Sequence, residues 1–339
     1  MFRQDRTNPS TAISNWRGRH DTPKAWPSSA VSTWLNGGLF GGAATGAVYF
    51  AGGATTPWAL LDTITKFSFL DDTRTVLTAT LSIPSYDSGG AGNAGVAGYN
   101  MGGYGLLTAV NKLDFTAETV STLVATLSAA ISSFAGMSNN AVAAYTTGGY
   151  SGGNYRDWVQ KLDFSNDSIA TLGTGLSAGC TQSMGMANSG TAGYCAIGAA
   201  GGGRVDTIDK FAFSDDTRTT LGTGTSVAGG AGSGLGNKDV AGYFCQGYVS
   251  TYSSVVDKFA FPSDSRSTIA SRAIPAAWLG GGSNSGTAGY IAGGEKTGYK
   301  VDTVDKLDYS ADSWSVLSTG LAAVTAYGPA GLENSVSLL

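Results

Sequence analysis

Histidine, cysteine, proline and charged residues are all scarce in this chain. One His, 3 Cys and 8 Pro occur among 339 residues, and charged residues make up 13%. A single His cannot build a histidine-based copper or zinc site, and the cysteines form neither a CxxC pair nor an even disulfide set. We therefore expect no metal and no cofactor, with Cys180, Cys195 and Cys245 as small buried thiols.

The chain also has little net charge and no long apolar run. Its formal net charge is −4, which argues against a basic stripe for nucleic acid and gives no attraction to an anionic membrane. No apolar run reaches the roughly 18 residues of a transmembrane helix. The first residues lack the apolar segment of a signal peptide, so we expect synthesis and folding in a cytoplasm.

One segment of the sequence is repeated six times along the chain. Each copy has a lysine followed by aromatic or apolar residues, and an acidic residue three positions after the last aromatic. The lysines are Lys66, Lys112, Lys161, Lys210, Lys258 and Lys306. The acids are Asp72, Glu118, Asp167, Asp216, Asp264 and Asp312, which lie 46 to 49 residues apart. A fixed period of this length indicates an array of one supersecondary unit.

A second pair of strands is predicted upstream of each repeated hairpin. Its signature is an Asn six residues before a Tyr, as in Asn188 and Tyr194, followed by one or two glycines. Each unit therefore has four strands: a of small residues, b with Ala-Gly-Tyr, c with the lysine, and d with Thr-Leu. A strand crowded by its counterparts around an axis needs small side chains, which fits strand a. A four-stranded period near 48 residues predicts an all-β propeller blade.

The two ends of the chain decide the predicted number of blades. Asp21 and Trp26 resemble the turn of the repeated hairpin, although Gly18 stands where its aromatic should be. We predict that residues 1–31 form a degenerate hairpin that completes the last blade with residues 323–339. The prediction is one domain, 1–339: a seven-bladed propeller of four-stranded antiparallel blades whose two ends share a blade. The alternative is six blades plus an N-terminal arm.

Residues that recur in every unit are predicted to be structural. The repeated lysines have acidic neighbours in three copies, Asp209, Asp257 and Asp305, which suggests local ion pairing. The repeated acids are typical of hairpin turns and lack the spacing of a calcium loop. Few acids fall outside the repeat, Glu295 and Glu333 among them. No catalytic residue is predicted, and we do not expect an enzyme.

Residues that differ between units point to the functional surface. The b–c and d–a connections of a propeller open on the same face, and both sets are rich in aromatic residues. The d–a connections carry Tyr86, Phe134, Trp278 and Tyr327. The predicted ligand-binding residues are Trp58, Tyr104, Tyr150, Tyr155, Trp158, Tyr248, Tyr252, Trp278 and Tyr299. Such a face suits sugar stacking or protein docking, while the alternative is that these rings only pack between blades.

The glycine pair after strand b and the aromatic–acid pattern of strand c resemble kelch-type propellers over essentially the whole chain. The tryptophan expected in strand d occurs only as Trp314. The repeat, written out for example as Asp209-Lys210-Phe211-Ala212-Phe213, is similar to kelch-like repeat proteins of bacteriophages, notably marine phages. That resemblance implies a virion or tail-fibre protein, found in the particle after assembly in the host cytoplasm.

The leading hypothesis is therefore a non-enzymatic phage virion protein associated with the tail or a fibre. It docks to other virion proteins, binds a host-surface polysaccharide, or does both. A cellular protein-interaction propeller and a glycan-active enzyme are the alternatives. The sequence leaves open whether the protein forms a homo-oligomer.

Overall fold

The computed structural model describes residues 46–55, 59–105, 107–284, 286–297, 299–323 and 327–335. These residues belong to one compact unit, Thr45–Leu339. They are all-β: the secondary structure of the described residues consists of strands, turns and bends, without a helix.

Six four-stranded antiparallel sheets make up the described part of the chain. We number them along the chain and list strands a to d of each. Sheet 1 is Ala330–Asn334, Ala47–Ala51, Ile64–Ser68 and Arg74–Val76. Sheet 2 is Gly89–Asn93, Ala97–Met101, Val110–Asp114 and Val120–Thr122. Sheet 3 is Ala135–Asn139, Ala143–Thr147, Val159–Asp163 and Ser168–Thr171.

The remaining three sheets follow the same order. Sheet 4 is Met184–Asn188, Ala192–Ala196, Ile208–Ala212 and Arg218–Thr220. Sheet 5 is Ser233–Asn237, Ala241–Cys245, Val256–Ala260 and Ser265–Ile269. Sheet 6 is Gly280–Asn284, Ala288–Ala292, Val304–Asp308 and Ser313–Val316. Short strands extend three b–c connections: Tyr150–Ser151, Asn154–Tyr155, Ala199–Ala200, Gly203–Arg204, Glu295–Lys296 and Tyr299–Lys300, with Cys180–Thr181 beside one of them.

Burial falls from strand b outward to strand d in every sheet. All residues of strand b are buried, whereas strand d is mostly exposed. A strand covered on both faces has no polar side, so strand b reads as a continuous small and apolar segment such as Ala47–Ala51. Strand d is an edge, and its Arg, Ser and Thr residues suit contact with water.

Strands a of the six sheets contact one another in cyclic order. One glycine at the same place in each strand makes this approach possible. A β-carbon on Gly136 would overlap the carbonyl oxygen of Gly90, and one on Gly90 would overlap that of Gly331. The set is Gly90, Gly136, Gly185, Gly234, Gly281 and Gly331. The expectation that strand a needs small residues because it is crowded by its counterparts is confirmed.

The C-terminal strand lies in a different place from the one predicted. Ala330–Asn334 pairs with Ala47–Ala51, Tyr49 standing opposite Leu332, and so becomes strand a of sheet 1. The sequence pattern predicts instead that residues 323–339 supply two strands of the last blade, which residues 1–31 complete. Asn334 explains the correct register, since it occupies the position of the turn asparagines Asn93 and Asn139 at the ends of their own strands a. Residues 1–31 lie outside the described residues.

A repeated link, which we call the girdle, joins each sheet to the next. In sheet 3 the Lys161 ammonium lies 2.8 Å from Asp216 of sheet 4, and the Tyr145 hydroxyl donates to the same carboxylate at 2.8 Å. Tyr145 and Lys161 are cross-strand partners. The other lysine–acid pairs are Lys66–Glu118, Lys112–Asp167, Lys210–Asp264, Lys258–Asp312 and Lys306–Asp72. The last pair joins sheet 6 to sheet 1, so the links run in the same cyclic order as the strands.

The girdle corrects the prediction of local pairing for the lysines. Asp209 and Asp257 are buried and accept hydrogen bonds from the backbone N–H groups of Ser177 and Ser226, at 2.6 and 2.8 Å. The lysines pair instead with the turn acid of the next sheet. These turn acids adopt a left-handed backbone, with φ of 57° at Asp216, as expected for hairpin-turn chemistry.

Candidate functional site

The b–c and d–a connections meet at one end of the sheets. The backbone N–H of Tyr104, in a b–c connection, donates to the carbonyl of Tyr86, in a d–a connection, at 2.8 Å. Ser132 and Tyr150 exchange two backbone hydrogen bonds of 3.1 and 2.8 Å in the same way. The two sets of variable connections therefore form one surface, as expected.

Four backbone hydrogen bonds link five residues at equivalent places in the d–a connections into an open series at this surface. We call it the collar: Asp87, Ser133, Gln182, Ala231 and Trp278. The N–H of each residue after Asp87 donates to the carbonyl of the one before it, at 2.8, 2.7, 2.9 and 2.5 Å in that order. The collar therefore fixes the backbone while its side chain differs at every position.

The collar backbone is strained. All five residues have φ between 52° and 56°, a region that non-glycine residues enter rarely and bulky ones at a cost of about 1–3 kcal/mol. Asp tolerates it best, and Ala and Trp gain nothing local from it. The hydrogen bonds to the neighbouring connections hold the conformation, which suggests that the strain serves the placement of the side chains.

Six aromatic side chains form a continuous row beside the collar. We call Tyr104, Tyr86, Tyr327, Trp278, Tyr248 and Tyr252 the aromatic row. Tyr86 stacks on Tyr104 with ring centroids 4.7 Å apart and on Tyr327 at 4.9 Å. Trp278 meets Tyr327 edge-on at 5.1 Å. Tyr248 and Tyr252 lie 6.4 and 6.5 Å from Trp278 and 5.7 Å from each other.

An open cavity of about 590 Å³ lies between the aromatic row and the collar. This volume is within the range of small-molecule sites, roughly 300–1,000 Å³. Its lining is Leu60, Tyr86, Asp87, Tyr104, Ser132, Ser133, Tyr150, Thr181, Gln182, Trp278 and Tyr327. Two smaller cavities adjoin it: one of about 60 Å³ shares four collar residues with it, and one of about 110 Å³ lies between strands a. The cavity is therefore the mouth of the space that the strands surround.

Asp87 places a carboxylate in the floor of this cavity. Its oxygen accepts a hydrogen bond of 2.9 Å from the Ser133 hydroxyl. Burial among protein atoms raises the pKa of Asp87 to about 6, and the Ser133 hydrogen bond opposes that rise only in part. Burial, together with the charge of Asp87, also raises the pKa of Tyr86. A perturbed carboxyl group inside an aromatic cavity is a mark of a functional site.

Two cations lie beside the aromatic row, and both have partners. The Lys300 ammonium contacts Glu295 at 2.6 Å and lies 5.2 Å from the ring centre of Tyr327. Burial acts to raise the pKa of Glu295, but hydrogen bonds from Lys300 and Tyr252 lower it on balance. On the other side, the Arg204 guanidinium lies 4.7 Å from the ring centre of Tyr248 and donates to Gln182 at 2.8 Å.

The structure brings some of the predicted site residues together and separates others. Tyr104, Tyr248, Tyr252 and Trp278 belong to the aromatic row, and Tyr150 lines the cavity. Tyr155 packs against Tyr150 at 6.1 Å between ring centres, on the rim.

The remaining predicted site residues take no part in the aromatic row. Trp158 lies under the Arg156 guanidinium at 4.6 Å. Tyr299 is 76% exposed, because its neighbour Lys300 is the residue of that strand that faces the row. Trp58 lies outside the described residues.

Sequence reasoning missed Asp87 and Gln182. Neither is aromatic, so the search for exposed rings passed over them. Their signal was position: aligned by the repeat, the same place holds Asp87, Ser133, Gln182, Ala231 and Trp278. A position where the backbone is repeated and the side chain is not can be found from sequence alone, once strands and turns are aligned.

The three cysteines are free and buried. Burial raises the pKa of Cys180 and of Cys245 to about 12, so neither thiol ionises readily. Within the described ranges, no group of three His, Cys, Asp or Glu side chains is placed to hold a metal ion. A search of the same residues for a helix with the length and apolarity to cross a membrane finds none.

Comparisons with known proteins show the fold. No family model matches the chain, and no curated protein does. Among solved structures, the chain is similar to the one titled "Structure of YjhT", with a TM-score of 0.59 and 15% sequence identity. The match covers 73% of this chain and 87% of that one. At this identity the likeness concerns the fold alone, an all-β arrangement of four-stranded sheets.

Proposed function

We propose that this protein is a kelch-like propeller of six blades, each of the six sheets being one blade. The cyclic order of the glycine contacts and of the girdle supports this count over seven. Residues 1–45 lie outside the described residues and are not counted in these blades. The proposed ring closes through the C-terminal strand Ala330–Asn334, which pairs with Ala47–Ala51 and becomes strand a of sheet 1.

We propose that the protein binds a glycan in the cavity at the collar. The observation that carries this proposal is the aromatic row beside a floor of Asp87, Ser133 and Gln182. Sugars present apolar ring faces and a rim of hydroxyls, so a site for them combines stacking rings with hydrogen-bonding groups. Tyr104, 55% exposed, offers an open ring, and Trp278, which lines the same cavity, is half-buried.

Binding is proposed in preference to hydrolysis. Glycoside hydrolysis commonly uses two carboxyl groups on either side of the scissile bond. Among the described residues that line the cavity, Asp87 is the one acid. Glu295, an acid in contact with Tyr252 of the row, accepts hydrogen bonds from Lys300 and Tyr252 at 2.6 and 2.5 Å.

A glycan array tests the binding function. We expect the purified chain to bind a defined set of polysaccharides, and Tyr104→Ala to lose that binding at least tenfold. Tyr299→Ala is the matched control, since it removes an exposed tyrosine of the same surface that the aromatic row does not include. Equal loss in both variants, or no binding by the wild type, would contradict the proposal.

We propose further that the protein belongs to a phage particle, at the tail or a fibre, where it docks to other virion proteins. This part rests on the resemblance of the repeat to phage kelch-like proteins. Immunogold labelling of purified particles tests it. Label at a tail or fibre tip is the expected result, and label at the capsid would indicate docking without host contact. Particles without label would overturn the assignment.

A further inference from the structure

Asp87 is the one charged residue that lines the cavity in the described part of the chain. Its hydrogen-bond partner, the Ser133 hydroxyl, is neutral. None of the ion pairs among the described residues includes Asp87. Asp87 is partly buried. A carboxylate that loses part of its hydration without gaining a counter-ion is destabilised, and a bound cation would offset that cost.

The two cations beside the aromatic row have partners other than Asp87. Lys300 is bonded to Glu295, and Arg204 is bonded to Gln182 and lies over the ring of Tyr248. Each of these two long side chains is directed to a different partner by contacts of its own. The charge of Asp87 therefore remains available to a ligand that enters the cavity.

The rings around Asp87 favour a cation as well. Tyr86, Tyr104, Tyr150, Trp278 and Tyr327 line the cavity with Asp87. The Tyr327 ring already attracts one cation, the Lys300 ammonium, 5.2 Å from its centre. Aromatic faces attract cations through their quadrupole, most strongly where water is excluded. A cavity that combines aromatic rings with one carboxylate at its floor is suited to an ammonium group and unsuited to an acidic sugar.

We infer that the ligand is a saccharide that carries a protonated amino group, which binds to the Asp87 carboxylate while the sugar ring packs on Tyr104 and Trp278. This inference rests on the proposed function and adds the class of sugar. An N-acetylated sugar of the same shape lacks the charge and would leave the carboxylate without a counter-ion.

The test compares two tetrasaccharides that differ only in their acetyl groups: the tetramer of glucosamine and the tetramer of N-acetylglucosamine. Calorimetric titration at pH 6.5 keeps much of Asp87 ionised and much of the amine protonated. We expect the glucosamine tetramer to bind about tenfold more tightly, the scale of one desolvated cation–π or ionic contact.

Asp87→Asn should remove this preference, because Asn keeps the left-handed backbone and a hydrogen-bonding side chain but loses the charge. Asp239→Asn is the matched control, the same change at an exposed position with φ of 63°, in an a–b turn. A preference that persists in Asp87→Asn overturns the inference, and so does equal binding of the two tetramers to the wild type.

The glycan array distinguishes failure of this inference from failure of the proposed glycan binding. If neither tetramer binds but the array shows a neutral glycan that Tyr104→Ala loses, the inference is wrong and the proposed function stands. If the array and both tetramers are negative, both are wrong.

Discussion

The girdle and the collar are both built by repetition, and they use it in opposite ways. In the girdle both backbone and side chains repeat: lysine, tyrosine and acid occur in the same geometry in every sheet. In the collar the backbone repeats, with φ between 52° and 56°, and the side chain changes each time. Residues whose chemistry repeats join the sheets, whereas the collar, where the geometry repeats and the chemistry varies, is where we propose that a ligand binds.

The largest effect is expected where strands a meet. Gly136→Ala places a β-carbon against the carbonyl of Gly90, and backbone cannot move aside as a side chain can. We expect a loss of about 3 kcal/mol or more, seen as a fall in Tm by circular dichroism. Gly173→Ala is the control, since nothing lies near its β-carbon. Equal melting of the two variants would mean that strands a do not converge.

Asp87→Asn should stabilise the protein at high pH. The folded-state pKa of Asp87, about 6, lies above its ordinary value of 3.8. Its contribution to stability is therefore fully present below pH 3.8 and is lost as pH rises through 6. At pH 8 the variant escapes that loss, and we expect a gain of about 1–3 kcal/mol.

Thermal melting at two pH values checks this prediction. The difference in Tm between Asp87→Asn and the wild type should be clear at pH 8 and close to zero at pH 3.5. The neighbours Tyr86 and Tyr327, whose pKa values are raised, stay neutral over this range. A variant that is less stable at pH 8 would show that the carboxylate supports the fold and is not a strained binding group.

Breaking one girdle link should have a smaller cost. Lys161→Met leaves Asp216 and the Tyr145 hydroxyl with each other and without the cation. Because the pair is about a quarter exposed, we expect a loss of about 1 kcal/mol. Lys296→Met, at an exposed position, is the control for removing a lysine. Urea titrations of the two variants would distinguish an inter-sheet link from a solvated charge.

The smallest effect concerns strain in the collar. Ala231→Gly relaxes a residue held at φ of 52°, and we expect a gain of about 0.5–1 kcal/mol. A loss of stability instead would show that the methyl group of Ala231 packs well enough to outweigh its backbone strain.

Much of this architecture could be predicted because the same four-strand pattern occurs six times in the sequence. Strands, turn acids and small inner residues recur with a fixed period, so single ambiguous segments gain support from their copies. Positions of contact between sheets could not be predicted in the same way. Lys161 has a partner 55 residues away, whereas the sequence offered an acid next to its equivalents Lys210 and Lys258.

The pairing of the chain ends and the composition of the candidate site were harder to predict from the sequence, for a physical reason. A strand carries no signal for which sheet it joins, so Ala330–Asn334 could be read as part of a seventh unit or of the first. The aromatic residues of the connections were found by type, but their neighbours depend on how the connections fold back. Asp87 stood out only when its carboxylate was placed beside Tyr86 and Ser133.

The most direct test of the central claim is a map of amide chemical-shift changes on adding the glucosamine tetramer to isotope-labelled protein. We predict changes at the collar amides of Ser133, Gln182 and Ala231 and at the indole of Trp278, with the girdle and the a–b turn at Asp239 unaffected. Changes centred on the a–b turns, with the collar silent, would contradict the assignment of the binding site.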